Sequence, residues 1–70
     1  MTNTDPIADR VKAATAAHAA LLRTGTEREI TVAYLEVLRA GRALALDCGE
    51  NPGTFDYEIE DTIKALEKLS

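Results

Sequence analysis

Between Thr26 and Cys48 the chain runs without a proline through its densest concentration of large aliphatic side chains, and both ends of the run carry stop signals. Thr26 followed by Glu29 is the S/T-x-x-E capping box, in which a hydroxyl and a carboxylate satisfy backbone N–H groups that a helix start leaves unpaired. Gly49, Asn51 and Pro52 supply a left-handed terminator and a hard stop. The pattern predicts a helix over 27–48, around which the other elements must be arranged.

On a helical projection, Ile30, Ala33, Tyr34, Val37, Leu38, Ala40, Gly41, Leu44, Ala45 and Cys48 fall in one arc, wider than the roughly 100° stripe of an ordinary surface helix. Such an arc suits an element with two neighbours. The opposite side carries Val32, Leu35, Arg39, Arg42 and Leu46 at spacings of three and four. Arginine stems laid over scattered leucines are normal on a solvated face. Aliphatic residues interleaved with arginine and free of lysine also match the composition of protein interfaces. This second stripe is the expected partner-binding surface.

On the N-terminal side, residues 1–4 are expected to be disordered, and Thr4 or Asp5 to cap a helix over 6–23 with Pro6 in its first position, where a missing N–H costs nothing. Ile7, Val11, Ala14, His18 and Leu21 repeat at alternating spacings of four and three, a packing seam. Gly25 ends the helix, and the short link to Thr26 implies an antiparallel hairpin. After the GENPGT turn, Thr54 or Asp56 is expected to start a helix over 55–69 with Phe55, Ile59, Ile63, Leu66 and Leu69 on one face and Thr62 at its edge. The expected fold is all-α: a single domain, 1–70, forming a small antiparallel three-helix bundle made of a helical hairpin and a C-terminal helix. A chain of 70 residues with one Phe, two Tyr and no Trp buries only about 60% of the surface its unfolded form exposes, so oligomerisation is the expected remedy.

The start MTNTDPIADR has neither the basic nor the apolar region of a secretory signal, no run approaches the roughly 18 apolar residues of a membrane span, and a lone cysteine offers no disulfide framework. A cytoplasmic protein is expected. The formal charge is −4, and it is concentrated late: residues 49–70 hold six carboxylates against two lysines. Direct nucleic-acid binding is not expected, because that needs a basic patch. A helix-turn-helix reading would also send Glu27 and Glu29 toward phosphates.

Chemistry is sparse. No phosphate-binding glycine loop, H-E-x-x-H or C-x-x-C occurs. His18 lies within the first helix's seam, where a partly buried imidazole bonded to an oxygen is the ordinary outcome; a pH-responsive contact is the sharper alternative. Cys48, at a helix C-terminus where the dipole disfavours thiolate, is expected to pack as a small hydrophobe. A zinc site would need His18 and Cys48 from two subunits to converge. Carboxylates at Asp56, Glu58, Glu60 and Asp61 belong at a helix N-terminus for dipole reasons, and Glu58 and Glu60 point to different sides. Tyr57 points away from its helix's apolar face and could anchor an interface.

The sequence thus predicts a non-catalytic protein-interaction module, a small regulatory or adaptor protein acting as a homodimer or on a protein partner. It predicts no cofactor, metal, membrane contact or small-molecule substrate. The expected partner-binding residues are Val32, Leu35, Arg39, Arg42, Leu46, Tyr57, Glu58 and Asp61. The alternative is an acidic inhibitor that mimics nucleic acid, its third-helix carboxylates blocking a basic surface on another protein.

Overall fold

Three helices form in the order the patterning predicts: α1 over Thr4–Thr24, α2 over Glu27–Asp47 and α3 over Gly53–Leu69. They come from a computed structural model that describes residues 4–69, with side chains from Pro6 onward. Of the residues 1–4 expected to be disordered, Thr4 is helical instead, and residues 1–3 lie outside the described residues. Thr4 and Asp5, expected as caps, are helical themselves, so Pro6 falls in the first turn of α1, where its missing N–H is one of the donors that has no partner anyway.

The α2 boundaries follow their local chemistry. The Thr26 hydroxyl accepts from the Glu29 N–H at 3.2 Å, and the Glu29 carboxylate accepts from the Thr26 N–H at 3.0 Å, closing the capping box. At the other end, Cys48 caps the helix and Gly49 turns left-handed at φ 78°. That lets the Gly49 N–H reach the Leu46 carbonyl (3.1 Å) and the Glu50 N–H reach the Ala45 carbonyl (2.8 Å), the paired bonds of a Schellman terminator. Helix α3 starts two residues before Phe55. The Asn51 side chain accepts from the Gly53 N–H (2.9 Å) and the Pro52 carbonyl from the Asp56 N–H (3.0 Å), so Asn51 takes the initiating role expected of Thr54 or Asp56.

The helices run antiparallel in sequence order. Leu21, near the end of α1, borders Arg28 and Ala33, near the start of α2, whereas Val11 lies by Val37 and Leu44. Asp56 meets Arg42, while Glu58 and Thr62 lie nearer the start of α2, by Tyr34 and Ile30. Helix α1 packs on α2 and α2 on α3, but among the described residues α1 and α3 do not pack on each other. The expected bundle is therefore opened out into a layer one helix deep, with Cα extents of 39 × 24 × 12 Å. Its radius of gyration is 12.9 Å, against about 11 Å for a compact domain of this length.

The two seams are built differently. Ala33 and Ala40, seven residues apart, are buried on the α1 flank of α2, Ala40 completely (0% exposed); side chains this small allow close approach of the axes. The α3 flank buries Leu35, Leu38 and Ala45 of α2 with Thr62 of α3, whose hydroxyl is satisfied by the Glu58 carbonyl at 2.7 Å. Gly41 has a specific reason to lack a side chain: an added Cβ would sit 2.7 Å from the Phe55 ring, which occupies that space.

Candidate functional site

With α1 and α3 on opposite flanks, α2 is left open on two sides, and those two sides differ in chemistry. Ile30, Tyr34, Val37, Gly41, Leu44 and Cys48 succeed one another at spacings of three and four along the front of α2, without a Lys, Arg, Asp or Glu among them. They floor two shallow depressions. One, of about 310 Å³, lies between His18 of α1 and Asp61, Thr62 and Ala65 of α3. The other, of about 480 Å³, lies between Val11 and Phe55. Val11, His18, Ile30, Val37, Leu44 and Phe55 are neither buried nor free but half-covered. Leu22, one turn beyond His18, is exposed.

The seam positions read from the sequence thus form a rim and a floor, not an enclosed core. Among the described residues no large side chain is fully buried. The accessible surface of 4931 Å² exceeds by about 600 Å² the value of about 4,300 Å² expected of a compact monomer of this mass.

Polar contacts cluster at one end of the front. The His18 and Tyr34 rings lie 5.6 Å apart, tilted by 44°, so His18 packs on an aromatic ring instead of the oxygen expected for it. The Tyr34 hydroxyl donates to Glu58 at 3.1 Å, and that bond to a carboxylate pushes the phenol above its usual value of 10.0. Cys48 is exposed at the end of the front strip, not packed as a hydrophobe.

The reverse side carries the stripe first expected to bind a partner, and its members separate. Val32 and Leu46 are exposed, Arg39 is exposed and lies 3.6 Å from Glu36, and Arg42 donates to Asp56 across the α2–α3 seam. Leu35, one heptad before Arg42 and so on the α3 flank, is only 7% exposed and belongs to the packing of the layer. A third depression, of about 300 Å³, opens behind Ala33 between Leu21 and Val32, with Arg28 and Glu29 at its edge. Of the α3 candidates, Tyr57 is 70% exposed, Glu58 is engaged by Tyr34, and Asp61 borders the front depression.

The sequence pattern does not separate the front strip from the seams, because both fall in the one wide arc of α2. The available signal was that α1 and α3 each offer one narrow apolar stripe, too little to enclose an arc as wide as that of α2.

The arrangement offers little for chemistry. Among the described residues no group of three or more His, Cys, Asp or Glu is placed to hold a metal ion, and no buried side-chain nitrogen or oxygen lacks a hydrogen-bond partner. No described helix is long and apolar enough to cross a membrane. What the surface offers is an apolar, uncharged strip with a polar corner. No protein-family model, curated protein or solved structure matches this chain.

Proposed function

We propose that this chain is a non-catalytic protein-interaction module, a small regulatory or adaptor protein that works as a homodimer or on a protein partner. The observation that supports this reading is the one-layer architecture. Domains ordinarily enclose their apolar side chains between two packed layers; here a single layer leaves the front strip of α2 and the adjoining residues of α1 and α3 half-covered. The exposed members of the reverse stripe, Val32, Arg39 and Leu46, form a second and more charged surface for the same kind of contact.

Sedimentation of the purified chain, alone and with proteins recovered from its native cell, tests the reading. Self-association or a stoichiometric complex with a protein is the expected result. A strict monomer without a protein partner refutes it. The acidic-inhibitor alternative has less support, because Asp56, Glu58 and Glu60 are already engaged by Arg42, Tyr34 and Lys64. It would be recognised by binding that falls steeply with salt.

A further inference from the structure

We infer that the front of the layer is the seat of a second copy of this chain, two layers packing face to face about a two-fold axis that runs along α2. The inference rests on the interaction-module reading and names its partner. Three observations carry it.

The first is area. The broad side of the layer, 39 by 24 Å, can supply the roughly 800 Å² that each subunit gives to a stable interface, and the molecule's surface in excess of a compact monomer, about 600 Å², reaches the lower end of that range. An identical layer is the cover whose dimensions fit without adjustment.

The second is chemistry. An isologous interface must be complementary to itself. The strip along the centre of the front carries no formal charge of its own, and Glu50 borders its depression at the Cys48 end: Ile30, Val37 and Leu44 meet their own copies, with the Phe55 ring filling the space over Gly41.

The third is the placement of charge, which selects the direction of the axis. Helix α3 has five carboxylates against two lysines, whereas α1 has three basic residues against two acidic ones. A two-fold running along α2 lays each α3 over the partner's α1, opposite in net charge. It also brings His18 over the partner's Asp61, since the two border the same depression at one level of the layer. A two-fold across the helices would lay acidic α3 on acidic α3.

The same axis brings each position of the front strip opposite its own copy, including Cys48 at the strip's end. Helices packed at about 8–10 Å between axes bring facing Cα atoms to roughly 5 Å, within reach of a disulfide.

The test uses the wild-type chain and two variants. Sedimentation equilibrium should give a particle of twice 7.6 kDa, and mild oxidation with copper–phenanthroline should convert it to a Cys48-linked dimer on a non-reducing gel. Val37→Glu, at a half-exposed position, should weaken the dimer about 30-fold or more while helicity persists. Leu46→Glu, on the reverse, should change it by less than about 3-fold. A dimer broken by Leu46→Glu and not by Val37→Glu overturns the inference but spares the interaction-module reading. So does a monomer that binds a different protein through Val37. A Val37-dependent dimer without a Cys48 cross-link overturns the axis along α2. A monomer that binds no protein overturns both.

Discussion

The front and the reverse of α2 are equally free of neighbouring helices, yet only one of them is chemically prepared for water. On the reverse, each apolar residue has an ionic neighbour: Glu36 and Arg39 lie between Val32 and Leu46, and Arg42 reaches Asp56. Long charged side chains of this kind cover apolar surface with their stems while their heads stay hydrated. On the front, six successive strip positions carry no charged side chain. Exposure alone therefore does not identify a binding face, since Leu46 is 50% exposed and belongs to the better-solvated side. Half-coverage of a strip that carries no charge of its own is the more telling condition.

The sharpest way to break this contrast is a pair of identical substitutions, one on the α3 flank and one on the reverse side. Leu35→Glu places an unpaired carboxylate at a position only 7% exposed and should cost about 3 kcal/mol or more, a large part of the stability of so small a domain. Leu46→Glu should stay within about 0.5 kcal/mol. Urea unfolding followed by circular dichroism measures both, and equal losses would show that Leu35 and Leu46 are not distinguished by packing.

Next in size is Ala40→Leu. Its site is fully enclosed at the α1 seam, so the larger side chain should destabilise by about 1–3 kcal/mol through overpacking. The same exchange at exposed Ala16 should be close to neutral.

Gly41 gives a test of coupling. Gly41→Ala gains about 1 kcal/mol of helix propensity, but its methyl group meets the Phe55 ring. The substitution should therefore be less favourable in the wild type than in a Phe55→Ala background, and a double-mutant cycle reads the difference. Additive effects would show that the ring does not depend on the missing Cβ.

The smallest effect concerns the start of α2. The Thr26 backbone N–H, with its hydroxyl, holds the Glu29 carboxyl below its ordinary 4.5. A carboxyl lowered in the folded state contributes stability that is present above about pH 4.5 and is lost as pH falls through the lower folded value. The modest advantage of wild type over Glu29→Gln in urea midpoint should thus disappear on acidification. An advantage that survives well below that range would mean that charge at Glu29 is not what the cap uses.

How much of this was legible beforehand differs by scale. Helix identity and order were, because caps and terminators are local: Thr26 with Glu29, and Gly49 with Pro52, act on backbone groups a few residues away. The start of α3 lies two residues before the expected one because Asn51 makes a short side-chain bond that competes with the more familiar signals of Thr54 and Asp56. The bundle did not follow, since amphipathic periodicity says that a stripe is covered without saying how far round the neighbour sits. Leu35 and Ala33 lie on different sides of α2, and both are buried; only the third dimension shows that the neighbours occupy opposite flanks. The pattern therefore points to the reverse stripe, from which the layer withdraws Leu35, and counts the front strip into a core that one layer does not enclose.

That the outer helices never meet also bears on how the molecule comes apart. Each wing hangs on the middle rod by its own hinge, so either can peel away while the other stays shut, and the amide protons of the middle rod should be the last to trade with heavy water. Such a fold has no keystone except its axle.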